Sequence, residues 1–271
     1  MQRAFTWLQG LRSLRKVGRQ PADIPHALWR PVLDTYPFLA SLQPAEQERL
    51  RGLCSIFLAH KEFHGTNGLA VTDAMALAVA AQACLPLLHM GTDERVLGWY
   101  GDFVGIVLHP GEVLARRQSV DDAGVVHSWK EALTGEAMQG GPLTLSWQDV
   151  AEAGASAESG YNVVIHEFVH VIDMHSNAGG EPDGCPLVSG RQERKHWKAV
   201  MTTSYQQFCD TVAAAERFGS MVPAPWLDPY AAGSTVEFFA VTAEAYFVAP
   251  AQFARHFPEL LPLYDGFFRR V

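Results

Sequence analysis

The chain has 271 residues, 48% of them hydrophobic and 18% charged, which is ample material for a packed interior and excludes wholesale disorder. A formal net charge of −8 argues against a protein that coats nucleic acid, since such binding rests on many Lys/Arg contacts to phosphate. The cysteines Cys54, Cys84, Cys185 and Cys209 stand singly, without CxxC spacing, and read as small core residues in a reducing compartment.

The first stretch, "MQRAFTWLQGLRSLRKVGRQP", places Arg12, Arg15, Lys16 and Arg19 behind an apolar patch. A secretory signal has the reverse order, so residues 1–23 are expected to form a basic, poorly ordered arm, with contact to a membrane surface or a partner as the alternative. Residues 24–271 are expected to form one domain. "LQPAEQERLRGLCSIFLAHKEF" opens with Pro44 and carries Leu50, Leu53, Ile56 and Phe57 at helical spacing. "AMALAVAAQACLPLL", Ala74 to Leu88, is too short for the roughly 20 residues of a membrane span and contains Gln82 and Pro86. It predicts a buried core helix opened by a Thr72 or Asp73 cap, and the chain is expected to be cytoplasmic. "FVGIVLHPGEVLARR" is rich in β-branched residues and broken at Pro110-Gly111, which predicts a hairpin. "GGPLTLSW", Gly140 to Trp147, predicts another short strand, either an ordinary structural one or the edge of a cleft where substrate backbone pairs.

"VVIHEFVHVID" follows, with three polar side chains in an apolar run. His166 and His170 are four apart, so on a helix both imidazoles project from one face. With Glu167 they form the HExxH pattern, in which two histidines hold zinc and the glutamate takes a proton from water that the metal has made acidic. Apolar flanks from Val163 to Ile165 and at Val171 and Ile172 predict that this helix lies in the core. The competing reading is a core helix with two histidines satisfied by hydrogen bonds.

Zinc needs a third protein ligand. The HExxHxxGxxH pattern is excluded, because Asp173 and Ser176 occupy its last two slots. Past a turn-rich loop, "SNAGGEPDGCP", a helix is expected from about Gln192 to Arg217, with Trp197, Val200, Met201, Phe208 and Val212 as its stripe. "MVPAPWLDPY" reads as a proline-broken loop and "STVEFFAVTAEAYF" as a further helix. Glu237 and Glu244, seven apart and so about two turns apart, are acids on one face of that apolar helix. Buried there, each is costly unless paired or bound to metal. Ser234 to Glu237 also fits a capping box, and Glu244 also suits a hydrogen bond to a neighbouring loop, so spacing does not choose between them. The coarse expectation is an α+β fold, mostly helical, with a small sheet beside the HExxH helix.

"HEFVHVID" followed by "DPYAAGSTVEFFAVTAEAYF" resembles the Mlc titration factor A family of zinc-dependent metallopeptidases, which is in turn similar to the catalytic domain of anthrax lethal factor. The resemblance extends from about Ile24 onward and includes "KEFHGTNGLAVTDAMALAVAAQACL" and "PLTLSW". It implies a zincin-like fold and one Zn2+ per chain. It also implies that His166, His170 and Glu237 are the metal ligands, that Glu167 is the general base and that Tyr230 stabilises the tetrahedral intermediate. Glu244 then becomes a supporting residue. Asp173, on the same helix face as His170, is the candidate partner for that imidazole.

Three functional readings follow. The first is a zinc peptidase, aminopeptidase-like on peptides, that also binds a repressor of the Mlc type. A regulatory protein that sequesters such a repressor, with catalysis secondary or absent, is the second; its candidate surfaces are the arm and "FPELLPLYDGFFRRV", whose other reading is a final helix on the core. The third is a zinc hydrolase acting on a non-peptide bond. None needs direct contact with nucleic acid or a membrane.

Overall fold

The computed structural model describes residues 23–91, 94–111, 113–120, 126–133, 135–136, 141–176, 181–186 and 190–269; the basic arm expected over 1–23 lies almost wholly outside them. The protein is mostly helical. Helices α1 (His26–Thr35), α2 (Pro37–Ala40) and α3 (Pro44–His60) come first. Pro44 takes the first helical position of α3, and Glu46 Oε2 accepts from the Gln43 main-chain N–H at 2.8 Å, closing a capping box. Strand β1 (Glu62–Gly65) leads to α4 (Asp73–Cys84). Thr72 caps α4 by accepting from Met75 N–H at 3.3 Å. The helix is shorter than expected: at Leu85 it tightens into a 3-10 turn over Leu85–Leu87, where Pro86 removes a donor. Apolar but for Asp73 and Gln82, α4 is buried everywhere except at Ala74, as suits an Ala-rich core helix.

Strand β2 (Gly105–His109) pairs in parallel with β1 on one side and with β6 (Leu143–Ser146) on the other. The expected hairpin across Pro110-Gly111 does not form. Both edges of β2 are taken by parallel neighbours, so the chain leaves the sheet, and β3 (Val113–Val120) pairs with β4 (Val126–Leu133) as a separate antiparallel ribbon. β5 (Gly135–Glu136) returns to pair antiparallel with β6, giving the order β1-β2-β6-β5. Thus β6 has neighbours on both sides, Leu145 facing Gly135 and Thr144 facing Glu136, and is a structural strand where a cleft edge was the alternative.

From Ser146, whose hydroxyl caps it, α5 (Trp147–Ser156) leads to α6 (Val163–Ser176), the helix of the HExxH pattern. The long helix α7 (Arg191–Phe218) matches its expected span and buries Trp197, Met201, Phe208 and Val212. Helices α8 (Thr235–Val248), α9 (Pro250–His256) and α10 (Leu261–Phe268) complete the chain. Tyr264, Phe267 and Phe268 bury α10 against the core, so "FPELLPLYDGFF" is largely a packing element. All four cysteines are free, and Cys54, Cys84 and Cys185 are buried. No described helix is long and apolar enough to cross a membrane.

Candidate metal centre

Two helix starts bring the site together. Asn162 caps α6: its side-chain Oδ1 accepts from Ile165 N–H at 2.9 Å, and its carbonyl accepts from His166 N–H at 3.0 Å. Ser234 caps α8 by accepting from Glu237 N–H at 3.1 Å. Glu237's carboxylate turns toward the histidines and away from the Ser234 N–H of the expected capping box, so the residue serves the cap with its backbone and the site with its side chain. The packing of α6 against α8 then sets the distances. His166 Nε2 and His170 Nε2 lie 3.1 Å apart, and Glu237 Oε2 lies 3.1 Å from the first and 3.4 Å from the second.

These three atoms form the one candidate metal group among the described residues. A tetrahedral zinc with bonds of about 2.0–2.1 Å separates neighbouring donors by about 3.3–3.4 Å. The observed separations of 3.1, 3.1 and 3.4 Å lie within about 0.3 Å of that spacing. Glu237 Oε2 is also buried without a hydrogen-bond partner, which an acceptor tolerates poorly unless a cation faces it. Two imidazoles and one carboxylate are donors that suit zinc, so the residues present fit the ion.

Burial works to raise the Glu237 carboxyl, but His166 and His170 overcome it and hold the group well below the usual carboxylate range. Burial likewise works against a charge on His166, and Glu244 followed by Glu237 outweighs it, keeping the imidazole well above its ordinary value. Glu167 is 5% exposed, and burial pushes its carboxyl up against the opposing pull of His166 and His170. A carboxyl raised in this way is a better proton acceptor than an ordinary carboxylate.

Glu244 is not part of the three-atom cluster. Its Oε1 accepts from His166 Nδ1 at 2.7 Å and its Oε2 from the Asn162 main-chain N–H at 2.5 Å, so both expected alternatives, support of a histidine and a bond to the preceding loop, hold at once. Asp173 does not take the role expected of it. Its Oδ2 accepts from Gly184 N–H at 2.7 Å, tying the end of α6 to residues 181–186, and burial pushes its carboxyl up to about 6. Gly184 has φ +68°, and a Cβ there would meet the Thr235 carbonyl oxygen at 2.7 Å, so glycine lets this segment sit against the start of α8.

Tyr230 lies in a 3-10 turn over Pro229–Ala232, fixed by Asp228 Oδ1 accepting from Tyr230 N–H at 2.9 Å. Its ring faces that of His166 at 6.1 Å and is 49% exposed, whereas Trp226, its expected packing neighbour, stacks on His256 at 4.9 Å. Asn162 and Gln82 also belong to this region, which the sequence pattern does not reveal. The one signal for them was a lone amide, Gln82, in an apolar helix.

A helical body on a small parallel sheet, with two histidines and a carboxylate converging beside a buried glutamate, defines a metallopeptidase-type protein. The chain belongs to the glucose-regulated metallo-peptidase M90 family, whose model matches residues 9–269. It is 30% identical over 249 residues to Mlc titration factor A of Klebsiella pneumoniae (strain 342), covering 92% of this chain and 87% of that protein. Identity to Mlc titration factor A of Pectobacterium atrosepticum is 31% over 245 residues, 89% of this chain and 85% of the relative. An uncharacterized protein of Synechocystis sp. is 31% identical over 225 residues, 82% and 76% of the two chains.

Proposed function

We propose that this chain is a zinc-dependent peptidase, aminopeptidase-like on peptides, whose residues 24–271 form one zincin-like catalytic domain. His166, His170 and Glu237 would hold one zinc per chain. The observation that carries the reading is the convergence of their donor atoms at zinc-like separations of 3.1 to 3.4 Å. When bound, the ion supplies positive charge that polarises water and a substrate carbonyl. Glu167 takes the proton of the attacking water and delivers it to the leaving amine. Tyr230, half exposed beside His166, donates its hydroxyl to the carbonyl oxygen as negative charge develops there. Glu244 keeps the proton of His166 on Nδ1, leaving the Nε2 lone pair for the metal.

Chelation should abolish hydrolysis of peptide amides, and zinc should restore it. Hydrolysis of simple esters in place of amides would favour the non-peptide reading. Blocking the amino terminus of a substrate should stop cleavage if the enzyme is aminopeptidase-like, and equal cleavage of blocked and free peptides would make it an endopeptidase. Tyr230→Phe should lower turnover by about 10²-fold with little change in KM. An unchanged turnover number removes Tyr230 from the mechanism.

A second reading rests on the name shared by several relatives, Mlc titration factor A. By that likeness this chain would bind a repressor of the Mlc type in the cytoplasm, with catalysis secondary or absent. Pull-down of such a repressor by Glu167→Gln separates the two roles. Retention without turnover makes binding independent of catalysis, and loss of both ties binding to the catalytic site.

A further inference from the structure

We propose that Gln82 and Asn162 are positioning residues for His166, acting through Glu244 from two layers behind the site; the inference rests on the zinc reading above. All three are shut away from solvent, with Gln82 and Asn162 0% and Glu244 1% exposed. Polar groups in such a place are destabilising unless each finds a partner. Here they form one string with a defined direction.

The direction follows from the backbone groups at its ends. Because Ile165 N–H donates to Asn162 Oδ1, the Nδ2 of Asn162 is the end left to donate, and it does so to Gln82 Oε1 at 2.8 Å. The Gln82 amide is oriented in turn by donating Nε2 to the carbonyls of Ala78 at 3.1 Å and Val150 at 3.5 Å. Asn162 gives its main-chain N–H to Glu244 Oε2, which leaves Glu244 Oε1 for His166 Nδ1. With the proton of His166 drawn to Nδ1, its Nε2 lone pair is directed at the space shared with His170 and Glu237. The string therefore joins α4, the start of α6 and α8, so that the orientation of His166 depends on an amide in a helix that contributes nothing else to the site. Every other residue of α4 from Met75 to Cys84 is apolar, so Gln82 is the one polar side chain this stretch sends toward Asn162.

The test uses the full chain and zinc alone, with affinity read by competition against a chromogenic chelator. Gln82→Met removes the acceptor for Asn162 Nδ2 at nearly constant volume and touches no ligand. It should weaken zinc binding by about ten-fold or more, the lower range for loss of an outer partner. Leu77→Ala, on another face of the same helix, should lower stability at least as much as Gln82→Met while leaving zinc affinity unchanged. If Gln82→Met does not fold, Asn162→Ser replaces it: serine keeps a cap for α6 and the main-chain N–H but drops the link to Gln82, and the same loss is expected. In the metal-free chain, the imidazole 15N spectrum of His166 should change in Gln82→Met and stay as in wild type in Leu77→Ala. Wild-type zinc affinity in Gln82→Met, or an equal loss in Leu77→Ala, overturns the proposal while the zinc reading stands. A wild type that takes up no zinc overturns both.

Discussion

Glu167→Gln should leave the fold and the bound metal in place while turnover of peptide substrates falls by about 10²- to 10⁴-fold, the range general acid–base catalysis contributes. The substitution exchanges one carboxyl oxygen for an amide nitrogen and alters neither volume nor the three converging donors, His166, His170 and Glu237. On the proposed mechanism, what disappears is the capacity to take a proton from water and return it to a leaving amine. The structure sets Glu167 apart from the other two acids of the site. Glu237 is held ionised by two histidines, and Glu244 is committed through both oxygens, to His166 and Asn162. Burial raises Glu167 as it raises Glu244, but Glu167's carboxyl is neither one of the three converging donors nor bonded to His166 and Asn162, which leaves it the acid placed to exchange a proton. Steady-state kinetics with a peptide amide, alongside metal analysis of the same preparation, check this. Wild-type turnover in the variant contradicts the assignment.

Phe168→Ala should destabilise the protein by about 3–5 kcal/mol, the usual effect of deleting a fully buried aromatic side chain. Phe168 lies between the two metal-site histidines in sequence but points away from them, into a ring cluster with Phe57 at 5.7 Å, Tyr100 at 4.7 Å and Phe103 at 5.9 Å. That cluster joins α6 to α3 and to the turn before β2. It is reinforced by Lys61, whose ammonium lies 3.6 Å from the Phe103 ring centroid and donates to the carbonyls of Tyr100 and Phe103. Truncation would leave a cavity at the back of the metal helix and loosen the face that carries His166 and His170. A lower urea midpoint at unchanged slope, measured on metal-free protein, is the expected signature. A loss below about 1 kcal/mol would mean that the cluster collapses to fill the gap, or that it does not anchor the helix.

The sequence disclosed the parts of the site that depend on one helix. His166 and His170 are legible because a spacing of four puts them on one face wherever the helix lies. Glu237 and Glu244 are equivalent by that logic, both acids on one face of an apolar helix. Only the packing of α8 on α6 separates them, sending Glu237 toward the two Nε2 atoms and Glu244 to Nδ1 of His166. Family resemblance favoured Glu237 for the metal, and the geometry supports that choice. Asp173 has the right face for His170, yet its one hydrogen-bonded oxygen goes to Gly184, from a loop with no periodic signal, and His170 Nδ1 has no hydrogen-bond partner among the described residues. The same limit explains β2 and β3. Pro110-Gly111 marks a chain reversal locally, but β2 is claimed on both sides by strands distant in sequence. Gln82 was the least legible, because its partner Asn162 is 80 residues away and a single amide in an Ala-rich helix carries no pattern.

Zinc content per chain, by elemental analysis of wild type, Glu237→Ala and Glu244→Ala purified without chelators and offered zinc, tests the central claim most directly. The account predicts near one zinc in wild type, almost none in Glu237→Ala, and weaker but measurable loading in Glu244→Ala. A wild type that stays empty, or a Glu237→Ala chain that loads as fully as wild type, would contradict it.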